Sequence, residues 1–184
     1  QVYMHQRCGA HTGMPEEIAA DLAPVMKALS AINESIAECE DTVEELAKGS
    51  EVARRLQTVP GVGPITALGF ASRIDDPARF KDGDQVASYF GLVPIERSSG
   101  EKRIQGHITK CGDKYVRTLM IQTAIRMMRL RQPAASPLWL WAERIAARRG
   151  RNIARVALAR KLARLLFPLM KNATVYMPEK LVPA

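Results

Sequence analysis

From Ile18 onward the apolar positions fall at Ile18, Leu22, Val25, Leu29, Ile32, Ile36, Cys39, Val43 and Leu46. The intervals alternate four and three without a break, which is the spacing of a heptad seam on one helix face. Glu34, Glu38, Glu40, Asp41, Glu44 and Glu45 fill the positions between. Pro24 lies inside the pattern, so the continuous helix is expected to start near it and to keep about three heptads. Two readings stay open: an amphipathic helix docked on its own domain, or a coiled coil that joins two chains. Lys48-Gly49-Ser50 should end the helix, since glycine tolerates the backbone conformation at a helix C-terminus.

Beyond that stop, "LQTVPGVGPITALGFASRI" (56–74) places a Pro- and Gly-rich turn between two helical patterns. Gly61 and Gly63 permit positive φ, and Pro64 suits the first position of a helix. This is the outline of a helix-hairpin-helix, whose turn lets backbone N–H groups approach a phosphate without reading sequence. An ordinary helical hairpin fits as well, and the lack of Lys or Arg from Leu56 to Ser72 favours it.

Asp75, Asp76, Asp82 and Asp84 cluster around a turn, where helix capping accounts for them, and "DGDQVASYFGLVP" (82–94) predicts a brief helix ending at Gly91. From Leu92 to Ile108 the alternation weakens and an irregular loop or small β-hairpin is expected. A strong helix follows over 112–131. Val116, Leu119, Met120, Thr123, Ala124, Met127 and Met128 form its inner face, and Arg117, Arg126, Arg129 and Arg131 its outer one. Trp139 and Trp141 belong to a short packed helix. The last helix should run from Arg151 to Phe167 and stop at Pro168. Its apolar set Ile153, Val156, Ala157, Leu162, Leu165 and Leu166 opposes Arg148, Arg149, Arg151, Arg155, Arg160 and Arg164, a candidate phosphate-facing stripe. The fold class is therefore mainly α. It comprises a coiled-coil-like helix (15–50), a domain with the helix-hairpin-helix and a hairpin insertion (51–171), and a tail (172–184). Residues 1–14 read as the start of a piece cut from a longer protein.

Charge changes the picture. The chain has 184 residues and a net charge of +8, yet residues 1–96 carry 8 basic against 15 acidic side chains. Residues 97–171 carry 18 against 3, so a polyanionic partner is expected at the second half. Three cysteines without a CxxC suit a reduced, cytoplasmic setting, and no apolar run approaches a membrane span. Cys8 with His11 and His107 with Cys111 are spaced like zinc-ligand pairs, but unrelated residues explain them better. The basic half offers only Glu101, Asp113 and Glu143 as acids, too few for two-metal phosphoryl chemistry.

The basic half opens on Ser98-Ser99-Gly100. A serine that attacks a phosphodiester needs an activated hydroxyl, offset phosphate charge and close backbone approach. Gly100 suits the last requirement, and Arg97, Lys102, Arg103, Lys110, Lys114 and Arg117 the second. No base is obvious: His107 is one candidate, and an arginine-rich pocket that lowers the serine pKa is the alternative. The alternative is a turn whose hydroxyls only hydrogen-bond a bound phosphate.

Together, "VPGVGPITA" (59–67), "DPARF" (76–80), "VASYFGLVP" (86–94), "SSGEK" (98–102) and "GHITKCGDKYVRTLM" (106–120) resemble the C-terminal transposase domain of the insertion-sequence one-ten family. The resemblance implies a bacterial DNA recombinase of mobile elements. Its members carry an N-terminal RuvC-like domain with acidic metal ligands, then a coiled coil, then this domain. It implies DNA as partner, a structured guide RNA in members that use one, and a homo-oligomer joined here through residues 18–46. The family's serine, which forms a 5′-phosphoserine link, matches Ser99, with Ser98 the second choice. No cofactor is expected in this part; a divalent metal such as magnesium would sit in the N-terminal domain. The part alone is expected to bind nucleic acid without recombining it, at the nucleoid. A non-catalytic helix-hairpin-helix module is the alternative from another class.

Overall fold

The computed structural model describes residues 16–99 and 102–178. They form seven α-helices, two short 3-10 turns and one two-stranded antiparallel hairpin. The chain divides into two units, one ending at Thr42 and the other beginning at Val43.

The first unit is the greater part of α1 (Glu16–Gly49). Helix α1 starts well before Pro24 and runs through it. The missing proline N–H removes one ladder bond, which a helix this long absorbs. The heptad positions from Ile18 to Ile36 are 41% to 55% exposed, and Cys39 is exposed.

The second unit is a helical body: α2 (Glu51–Leu56), α3 (Pro64–Ile74), α4 (Gly83–Tyr89), β1 (Pro94–Ser99), β2 (Lys102–Ile108), α5 (Lys114–Leu130), α6 (Ser136–Arg149) and α7 (Arg151–Lys171). Side-chain caps set several starts. Ser50 Oγ accepts from Ala53 N at 3.2 Å, Asp82 Oδ1 from Asp84 N and Gln85 N at 3.0 Å each, and Asp113 Oδ1 from Val116 N at 2.8 Å. Each satisfies N–H groups that a helix start leaves without partners.

Helix α7 is the central post, packed by α2, α4, α5 and α6. It buries Ala154, Leu158, Ala159, Leu162, Ala163, Leu166, Phe167 and Leu169. Two expectations fail here. The helix passes through Pro168 and ends at Lys171, whose ammonium donates to Phe80 O at 3.0 Å. Ile153 is about half exposed, because the buried face is rotated toward Ala154 and Leu158. The expected inner face of α5 is buried throughout. Helix α6 is longer than expected, and half-buries both Trp139 and Trp141.

Helix α4 meets α7 through a backbone contact. A Cβ on Gly83 would lie 2.8 Å from Arg164 Cα and O, so only glycine lets the two helices come this close. Beside it Asp84 pairs with Arg160 at 3.1 Å and Arg164 at 3.2 Å.

Candidate functional site

The hairpin that carries the two serines grows from a packed root. Before it, Gly91 turns the chain at φ +66; after it, Gly112 does so at φ +116. A side chain on Gly91 would collide with the backbone of Cys111, and one on Gly112 with the carbonyl of Tyr89. These two loops therefore touch backbone to backbone. Lys110 N donates to Gly91 O at 3.2 Å and Thr109 N to Val93 O at 2.9 Å, which closes the base of the ladder.

Arg117 locks the same root. It is 9% exposed, and its Nη1 donates to Phe90 O at 3.0 Å, across from α5 to the loop before the hairpin. Arg117 was expected on the outer, phosphate-facing side of its helix. The structure buries it instead, because the carbonyl at the end of α4 needs a donor that no backbone amide supplies. Its role is to position the hairpin root. Asp113, between root and α5, adds an ion pair with Arg73 Nε at 3.0 Å and so ties the end of α3 to the start of α5.

The hairpin register sets Ser99 opposite Lys102, Ser98 opposite Arg103 and Arg97 opposite Ile104, with an irregularity between Pro94 and Glu96. The two serines thus end β1 and the first two basic residues begin β2. Gly100 and Glu101 lie outside the described residues, as do the side chains of Arg97, Ser98, Ser99, Lys102 and Arg103. Of the remaining candidates, His107, Lys110 and Lys114 are exposed, Lys110 at the root and Lys114 in the first turn of α5.

The glycine turn between α2 and α3 stands apart in the body. Gly61 takes φ +92 with Met127 Cε 3.7 Å from where its Cβ would be, so the turn rests on α5. Thr66 and Thr123 share a buried hydroxyl–hydroxyl bond of 3.2 Å at the same contact. Gly63 is the N-cap of α3 and brings no side-chain acceptor for the first-turn N–H groups, of which Pro64 has none.

Among the described residues no group of three or more His, Cys, Asp or Glu side chains is arranged to hold a metal ion. Cys8 and His11 lie outside them. No helix of the described residues is long and apolar enough to cross a membrane. Sequence reasoning missed the clamp at Gly91, Gly112 and Arg117. A signal existed: a glycine on each side of the predicted hairpin, with an arginine one helical turn beyond the second.

Comparison with known proteins bears on the region that holds this root and hairpin. The profile of the transposase IS116/IS110/IS902 family matches residues 53–139. A probable family 20 transposase of Pseudomonas aeruginosa is 33% identical over 165 residues, 90% of this chain and 49% of the relative. The transposase for insertion sequence element IS1111A of Coxiella burnetii is 35% identical over 144 residues, 78% of this chain and 40% of the relative. The transposase for IS1328 of Yersinia enterocolitica is 33% identical over 143 residues, 78% and 43% of the two chains. The chain thus spans less than half the length of these curated relatives. Its matched region, from α2 through the serine hairpin to the start of α6, is a transposase domain of the IS116/IS110/IS902 family.

Proposed function

We propose that this domain recombines mobile-element DNA through Ser99. The hydroxyl oxygen bonds to a backbone phosphorus, the P–O3′ bond breaks, and the 5′-phosphate stays on the serine. The proton released by the hydroxyl balances the one taken up at the 3′ oxygen. The observation that carries this reading is the register: Ser99 and Ser98 end a strand opposite Lys102 and Arg103, on a hairpin whose root is packed backbone to backbone. A nucleophile gains from such fixed positioning, and the cations would offset phosphate charge. Metal chemistry belongs to the RuvC-like domain of the longer protein, with a divalent ion such as magnesium. Residues 18–46 join copies through the exposed seam of α1, and a guide RNA completes the assembly in members that use one.

A second reading, a binding module without chemistry, draws on the glycine turn that leads into α3 at Gly63. One experiment separates the two. Full-length protein, with any RNA its element encodes, is incubated with DNA spanning the element junction and resolved on a denaturing gel. A covalent adduct that disappears in Ser99→Ala and persists in Ser98→Ala is the expected result. Loss only in Ser98→Ala would move the nucleophile by one residue. DNA binding without any adduct would leave the binding module standing.

A further inference from the structure

Residues 144–164 contain eight cations and no acid, but the fold does not leave all eight available. Arg160 and Arg164 are both taken up by Asp84. Lys161 lies over the ring of Trp141, 4.3 Å from its centroid. That leaves Arg144, Arg148, Arg149, Arg151 and Arg155 around the corner where α6 passes into α7 at Gly150. The first four are exposed and Arg155 is half-buried. None of the five has an ion-pair partner among the described residues; Arg155 donates only to Asn152 Oδ1, at 3.1 Å. The nearest acid along α6, Glu143, is already paired with Arg131 at 3.2 Å.

Arg144 and Arg148 are four residues apart on α6, and Arg151 and Arg155 four apart on α7, so each pair shares a helix face. Gly150 between them, at φ +88, gives α7 no side-chain cap and has no atom within 4 Å of the place where its Cβ would be. The start of α7 therefore has no side-chain acceptor for its first N–H groups, whose partial positive charge adds to that of the arginines. Lys161 is held below the ordinary lysine pKa, first by burial and then by the neighbouring Arg144 and Arg164. Uncompensated like charge of this kind costs folding energy, and a polyanion relieves it.

We propose that the α6–α7 corner is a second contact surface for the backbone of duplex DNA, separate from the serine hairpin. Arginine suits the task because its planar fork binds phosphate oxygens bidentately. Contacts of this kind fix orientation without reading bases. The inference rests on DNA as the polymer on which the domain acts, not on the serine chemistry.

The test measures binding of the 184-residue chain to a labelled duplex about two helical turns long, by anisotropy, from about 50 to 200 mM salt. Replacing Arg148, Arg149 and Arg151 together by Gln should flatten the plot of log Kobs against log salt by about 2 to 3, and weaken binding at least tenfold at the lower salt. Arg144→Gln with Arg155→Gln reads the same surface through other side chains and should flatten it by about 2. An unchanged slope in both variants overturns the proposal, as does failure of the wild-type chain to bind duplex at all. Loss of binding to a structured RNA with duplex binding intact overturns the assignment to DNA. The slope and the covalent adduct are independent readouts, so failure of the serine mechanism leaves this result standing.

Discussion

Helices α1 and α7 are the two longest in the chain, and both show apolar periodicity in the sequence. Their fates differ. Helix α7 buries Ala154, Leu158, Leu162 and Leu166 completely under its neighbours, whereas the seam of α1 from Ile18 to Ile36 stays about half exposed. Periodicity reports that a face is suited to being covered, not what covers it. For α7 the cover is the same chain, so its packing is a matter of folding. For α1 the cover proposed above is another copy, so its packing depends on concentration.

The sharpest way to break the contrast is to damage the post. Leu162→Ala empties a fully buried site and should cost about 2–5 kcal/mol in thermal or urea unfolding followed by circular dichroism. Arg117→Leu comes next. It leaves Phe90 O without its donor inside the body and should cost about 1–3 kcal/mol. Amide exchange at Thr109 and Lys110 should quicken with it, because the hairpin root loses a restraint. Leu29→Ser with Ile32→Ser tests the other side. The unfolding of the body should move by no more than about 0.5 kcal/mol. The mass seen in sedimentation velocity should fall toward that of one chain. Asp84→Asn should also have a small effect. Its carboxylate is half exposed, so losing both arginines should cost at most about 1 kcal/mol and less at high salt.

The sequence made α5 legible because Val116, Leu119, Met120, Thr123, Ala124, Met127 and Met128 recur at one helical period and are all buried. Capping at Asp82 was legible within its carboxylate cluster for a similar reason, since a cap depends on a local pattern, whereas the cap at Asp113 was not read from the sequence. The helix ends at prolines were not. Pro24 and Pro168 each remove a single ladder bond, and tertiary packing or plain helix length outweighs it. Arg117 was misplaced because it sits at the border of the buried face, where burial depends on a carbonyl far away in sequence. The same holds for Arg160 and Arg164. A stripe of six arginines looks uniform until Asp84, from another helix, occupies two of them. Ser98 and Ser99 could be singled out from charge and composition. Their strand partners Arg103 and Lys102 needed the hairpin register, which no local pattern fixes here.

The placement of the indoles has an optical consequence. The chain has two tryptophans, and α6 holds both. Trp139 Nε1 donates to Gln132 O at 3.0 Å with the Arg131 guanidinium 5.9 Å from its ring, and Trp141 carries Lys161 on its face. Intrinsic emission excited at the red edge of the band therefore comes from one helix, beside the arginine corner. A polyanion that settles on Arg144, Arg148 and Arg149 of the same helix changes the electric field around the rings, and should change the emission without any label. A ligand held at the serine hairpin alone should leave the signal dark.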